Sequence, residues 1–264
     1  MTAPAFSAAV PDPSPVPSLP AWTWFKVFTR LLAIQGAWNY ETLLGNGVGF
    51  CVEPALRFLP GGVHGTAFKQ AMARESSYFN AHPYLASVAV GALARAELSG
   101  VPAERIERFR TALAGPLGSV GDRLVWAGWL PFASLVSLAA FGLGARPLLV
   151  IGIFLVLYNA GHFALRIWGL RVGWTRGLAV APALGNPLLR RGPAHVARAA
   201  AAAAGVALPL AAARLLDGGP SLLAIVLVGA ALLAALLVRV HGRVEGYKLV
   251  LVLIALFALL SVVR

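Results

Sequence analysis

The sequence predicts an all-α integral membrane protein, with amphipathic or re-entrant helices in its N-terminal half and about five transmembrane spans in its C-terminal half. Three observations carry that expectation. First, the mean hydropathy is +0.77, and 59% of the residues are hydrophobic against 12% charged. Second, apolar runs occur at about 124–144, 148–168, 197–213, 221–238 and 247–263. Third, the apolar stretches before residue 123 are short. They are broken by Gly45, Gly47, Gly49, Pro54, Pro60, Gly61, Gly62 and Pro83, and none reaches the roughly 20 residues a bilayer requires.

Taken in order, residues 1–21 carry six prolines and neither the basic start nor the apolar core of a secretory signal, so they read as an extended, disordered tail. From Trp22 to Leu32, Phe25, Phe28 and Leu32 and, beside them, Val27 and Leu31 fall at helical spacing. Lys26 and Arg30 lie on the other side, with Trp22 and Trp24 at the head, which predicts an amphipathic helix seeking the membrane interface. The stretch "GVPAERIERFRTALAG" (100–115) predicts an exposed amphipathic helix, with Pro102 in its first turn and Glu104 and Glu107 near its positive end. The glycine-rich "GPLGSVGD" (115–122) lacks the Gly-Lys-Ser/Thr ending of a phosphate loop, so it predicts a tight bend into the first span. The division expected is a tail over 1–21, an amphipathic and re-entrant region over 22–123, and a transmembrane region over 124–264.

Charge supports the same class. The net charge of +12 arises from 22 basic and 10 acidic residues, and the arginines cluster at the ends of apolar runs. Membrane topology and anionic headgroups account for that placement better than nucleic acid, which is excluded as a partner. The excess of Arg and Lys places residues 100–123 and the 169–196 loop in the cytoplasm and the C-terminus outside. The single cysteine, Cys51, rules out an internal disulfide framework and reads as a packed hydrophobe.

Four polar and aromatic blocks stand out against this apolar background. In "IQGAWNYE" (34–41), Gln35, Asn39 and Glu41 offer hydrogen-bonding groups beside the rings of Trp38 and Tyr40. If the segment is helical, Gln35, Trp38 and Asn39 share a face. That composition fits a neutral sugar, which needs a few convergent polar groups and an apolar wall, and it equally fits a subunit interface. In "YFNAHPYLASVAVGALARAE" (78–97), Pro83 disfavours helix at His82 and predicts a turn there, with Asn80 close by. In "GPLGSVGDRLVW" (115–126), Asp122 is either a functional charge at membrane depth or a helix cap. In "LYNAGHFALRIWGLRVGW" (157–174), Asn159, His162 and Arg166 form one helical stripe. An arginine facing lipid would cost about 2.5–3.5 kcal/mol, so the stripe should face protein or water, with Asp122 or Glu41 as the carboxylate for Arg166.

In content, order and approximate spacing, the four blocks resemble the D component (IID) of the mannose/fructose/sorbose family of bacterial sugar phosphotransferase systems, over roughly residues 22–180. The resemblance implies a multi-pass subunit of the bacterial inner membrane that pairs with a C component (IIC) to carry a hexose inward. A phosphohistidine on a soluble IIB component, charged by IIA, phosphorylates the sugar. The subunit itself would carry no phosphohistidine, catalytic residue, metal or cofactor. Gln35, Trp38, Asn39, Glu41, Asn80, His82, Asp122, Asn159, His162 and Arg166 are then candidates for contact with sugar or with IIC. The chain departs from the family pattern at Thr42, Arg123 and Leu130, where arginine, serine and arginine are usual. A regulatory or assembly protein that no longer transports is the alternative.

Overall fold

The structure, a computed structural model, describes residues 18–216. The expected tail up to residue 17, the spans at 221–238 and 247–263 and the outward C-terminus lie outside the described residues. In order, the described elements are α1 (Ala21–Leu32), α2 (Gly45–Leu56), a 3-10 turn (Gly62–His64), α3 (Thr66–Glu75), α4 (Ala86–Leu98), α5 (Ala103–Gly121), a π-helical segment (Asp122–Trp129), α6 (Leu130–Gly142), α7 (Pro147–Arg176), a second 3-10 turn (Gly177–Ala179), α8 (Ala181–Leu184) and α9 (Pro187–Leu216). Among these residues there is no β-strand, only isolated bridges between Asn39 and Leu43 and between Leu43 and Phe79.

The packed core lies in the first half and is built around α4. Every residue from Ala86 to Glu97 is buried. The reason is compositional: "ASVAVGALA" has small or β-branched residues all round, so neighbours can approach from every side. Against α7 that approach reaches backbone distance. A Cβ added at Gly91 would lie 2.4 Å from the Leu170 carbonyl oxygen, and one added at Gly173 would lie 2.1 Å from that of Val88. Such a small-residue crossing is how helices associate where lipid competes with side chains for contact. Arg95, at the end of α4, donates to the Trp174 carbonyl at 3.2 Å and also to that of Thr175, satisfying groups that the end of α7 leaves open.

Helix α1 docks on this core through Thr23, Val27 and Leu31, an i, i+4, i+8 row, leaving Phe25 and Leu32 exposed. Its amphipathic character is therefore as the sequence predicts, with Phe28 partly buried beside this row and Phe25 turned outward. Cys51 lies fully buried in α2, and burial pushes its thiol up to about 12, consistent with an inert packing residue. The buried Arg110–Glu75 pair ties α5 to α3, and Arg74 donates to both oxygens of Glu97 at 2.8 Å, tying α3 to α4.

Among the described residues, three helices are long and apolar enough to cross a membrane: Ala103–Gly142, Pro147–Ala179 and Ala181–Arg214. Each begins before the apolar run expected there, at 124–144, 148–168 and 197–213. No bend occurs at Gly115–Asp122, and the predicted 100–115 helix is not separate: α5, the π segment and α6 form one continuous 40-residue helix. Pro116 removes one backbone donor, and the wider π turns after Gly121 absorb the irregularity without a break. The predicted 169–196 loop is likewise mostly helical. Helix α7 runs on to Arg176 and α9 begins at Pro187, leaving a short connection. The remaining helices of the N-terminal half, α2, α3 and α4, have 12, 10 and 13 residues, and the longest spans only about 20 Å.

Candidate functional site

The first block does not form the helix on which Gln35, Trp38 and Asn39 would share a face. Residues 33–37 are turns, followed by the bridge at Asn39. The Asn39 side chain closes this loop on itself: its Oδ1 accepts from the N–H groups of Glu41 and Thr42, both at 2.9 Å, and its Nδ2 donates to Thr42 Oγ1 at 2.9 Å. Asn39 is thus occupied as a turn former, and Thr42 is one of its partners. Leu43 adopts a left-handed conformation (φ 51°) and Leu44 N–H bonds the Phe79 carbonyl at 3.0 Å, fastening the loop to the second block. Gln35, Trp38, Tyr40, Glu41 and Asn80 remain exposed, with Trp38 and Tyr40 in edge contact at 4.8 Å.

The other three blocks converge. Their meeting point is Tyr84, which sequence reading passed over. The Arg166 guanidinium lies over the Tyr84 ring at 4.4 Å, and the His162 and His82 rings meet it edge-on at 4.5 and 4.9 Å. Trp126 packs against both His82 and Tyr84, and the Tyr84 and Tyr158 hydroxyls are hydrogen-bonded. Burial, followed by the Tyr158 contact, holds the Tyr84 hydroxyl above the usual phenol range. Gly121 permits this assembly, since a Cβ there would sit 2.2 Å from that of His82.

His82 does occupy the turn before α4, as the proline predicts, but it is buried rather than available at the surface. Its Nδ1 accepts the Tyr84 backbone N–H at 3.2 Å, which places the proton of the neutral ring on Nε2. Burial, aided by the positive charge of Arg166, lowers its pKa to about 4, so it is neutral at pH 7.

Arg166 is 2% exposed and forms no ion pair with Asp122 or Glu41, correcting the pairing expected above. It instead donates from Nε to the Leu31 carbonyl at 3.0 Å and stacks on Tyr84. A desolvated cation over a ring gains about 2 kcal/mol or more, which partly replaces the missing carboxylate. Asp122 is exposed in the interior of the long helix, so it caps no helix start. Asn159 donates to the Leu155 carbonyl of its own helix at 2.7 Å, so of the predicted stripe only His162 and Arg166 enter the cluster.

Three polar atoms of this cluster, His82 Nε2, His162 Nδ1 and Arg166 Nη1, are buried without a hydrogen-bond partner. Each such group costs about 1–3 kcal/mol, so the cluster holds unspent hydrogen-bonding capacity.

The family model described as the mannose/fructose/sorbose family IID component of the phosphotransferase system (EIID-AGA) matches residues 19–192, which enclose all four blocks. The chain belongs to this family. It is 32% identical over 172 residues to the mannose-specific EIID component of Escherichia coli K12, covering 62% of this chain and 59% of that protein. Similarity extends to the fructose permease IID component of Bacillus subtilis 168 (29% over 163 residues, 59% and 57% covered). It also reaches the sorbose-specific EIID component of Lacticaseibacillus casei (31% over 178 residues, 63% and 60%). The chain spans about three fifths of the length of these relatives.

Among solved structures, a subunit of the mannose transporter ManYZ in complex with microcin E492 superposes with a TM-score of 0.53 at 28% identity. The match covers 71% of this chain and 69% of that one. A second structure, titled only as a membrane protein, gives a TM-score of 0.62 at 25% identity, covering 72% and 70%. As a IID component the chain is a membrane protein of a sugar phosphotransferase family.

Proposed function

We propose that this chain is the membrane subunit of a mannose-family permease that pairs with IIC to carry a hexose inward, phospho-IIB phosphorylating the sugar and IIA recharging IIB. The observation that carries this reading is the family match over residues 19–192, enclosing the four blocks. The likeness to a subunit of the mannose transporter ManYZ supports IIC as the partner. The proposal places the chain in the bacterial inner membrane with about five spans, α2–α4 being re-entrant between the tail and the transmembrane region that begins near residue 124. The Tyr84 cluster, with His82, His162 and Arg166, sets the geometry of the translocation unit from within. The exposed Trp38 and Tyr40 rings, with Gln35 and Glu41, belong to the contact with IIC.

The test is uptake of labelled mannose, fructose and sorbose into cells that carry IIC, IIB and IIA, with and without this gene. Uptake of at least one sugar should depend on the gene. Equal uptake with and without it for every hexose would overturn the reading. Normal assembly with IIC in that case would favour the regulatory alternative, for which the departures at Thr42, Arg123 and Leu130 speak.

A further inference from the structure

Between α1 and α2 lies an open groove of about 510 Å³ whose chemistry differs from the rest of this apolar chain. Lys26 and Arg30 enter it from α1, Glu53 from α2 and Arg57 from just beyond α2, with the Trp22 and Phe58 rings at its edges. Three cations and one carboxylate therefore line it. Glu53 accepts from Arg30 Nη1 at 2.7 Å and from Arg57 Nε at 2.5 Å. Arg30 is further fixed by the Phe50 carbonyl at 2.7 Å and by stacking on the Phe50 ring at 4.4 Å.

The carboxylate thus holds two guanidinium groups in place while leaving part of their hydrogen-bonding capacity unused. Arg57 Nη1 and Nη2 have no acceptor among the described residues, and Lys26 Nζ is engaged only with the Trp22 ring, 5.6 Å from its centroid. An anchored guanidinium with a free edge, beside an ammonium and with a net local charge of +2, matches the planar oxygens of a phosphate group. The rim is aromatic and exposed: Trp22 is 62% and Phe58 53% accessible. Rings of this kind beside basic side chains mark the headgroup level of a membrane.

We propose that the α1–α2 groove binds a phosphate ester, with Arg57 and Lys26 contacting its oxygens and Glu53 as the positioning residue. Two sources offer that group: the headgroup of an anionic phospholipid and a soluble phosphate monoester.

The experiment uses the full chain, purified in detergent and stripped of lipid. Phosphatidylglycerol and phosphatidylcholine retention is compared by native mass spectrometry. Thermal unfolding is followed with glycerol 3-phosphate against chloride at matched ionic strength. Preferential retention of phosphatidylglycerol alone assigns the site to lipid, and a response to glycerol 3-phosphate without lipid preference assigns it to a soluble ester. The Lys26→Gln/Arg57→Gln double variant should weaken the responding ligand about tenfold or more. Arg146→Gln, exposed at the start of α7, the end away from α1, should leave it unchanged. Glu53→Gln keeps an amide oxygen to hold the guanidinium groups but removes the negative charge that repels the phosphate, so it should tighten binding, a readout that stands if the double variant fails to fold. Equal retention of both lipids with no response to glycerol 3-phosphate overturns the proposal. So does wild-type binding by the double variant, or unchanged or weaker binding by Glu53→Gln.

Discussion

His82 shows how a residue can be placed by sequence and still be misjudged in kind. Pro83 makes the turn legible, because the proline ring excludes helix at the residue before it. The burial is not legible, since it depends on Gly121 leaving room and on Trp126 and Tyr84 closing over the ring. The consequence is a pH dependence. The folded-state pKa of about 4 lies below the ordinary 6.5, so the unfolded chain takes up the proton first as pH falls. The contribution of His82 is present above pH 6.5 and lost as pH falls toward 4, amounting to on the order of 3 kcal/mol across that window. Thermal unfolding in detergent should show this acid loss in the native chain and a flatter profile in His82→Asn, whose amide oxygen can still accept from Tyr84 N–H. An identical acid limb in both would show that His82 does not set it. Arg110 gives the converse lesson. Counted along the sequence it is one more topological charge, but packing makes it the buried partner of Glu75. Burial, with Glu97 nearby, holds the Glu75 carboxyl above the usual range.

At the scale of elements, α4 and α7 govern the architecture. Composition alone indicates that α4 is unusual, because small and β-branched residues surround it on every side. It does not identify the partner. That is decided by Gly91 meeting the Leu170 carbonyl and Gly173 meeting that of Val88, a register shared by segments some eighty residues apart. Gly173→Leu forces the helices apart and should lower the unfolding midpoint sharply, with a cost of about 1–3 kcal/mol or more because the atom in the way is backbone. Gly205→Ala on α9, where an added Cβ meets nothing within 4 Å, is the control and should be neutral. Equal effects of the two would show that the α4–α7 crossing does not govern stability. The long helix from Ala103 to Gly142 is the element the sequence concealed best. Three glycines and a proline read as a bend, whereas π-helical turns carry the chain through them.

For the whole molecule, the exposed surface becomes informative once the core is assigned. The start of α7 stays outside the packed core, with Leu148, Leu149, Ile151, Leu155 and Val156 all exposed. In a chain of this family such a face meets lipid or a partner. Trp38 and Tyr40 form a separate exposed aromatic pair on a loop stiffened by Asn39. Rigid exposed aromatics are the residues most often dominant in interfaces. Trp38→Ala should therefore reduce co-purification with IIC about tenfold or more while leaving the unfolding midpoint of the isolated subunit unchanged. Unimpaired co-purification would remove Trp38 from the interface.

By itself the sequence determined the membrane class, the family and the four blocks, because hydropathy, turn chemistry and motif order are local properties. It also placed His162 and Arg166 on one side of a helix, since helical periodicity alone requires it. Only the tertiary structure decided that Asn39 is spent on its own turn, that Arg166 answers to Leu31 and Tyr84 rather than to an acid, and that Tyr84 is the meeting point. Those outcomes depend on which distant segments pack together, and in this chain that is set by where glycines and small residues let backbones touch.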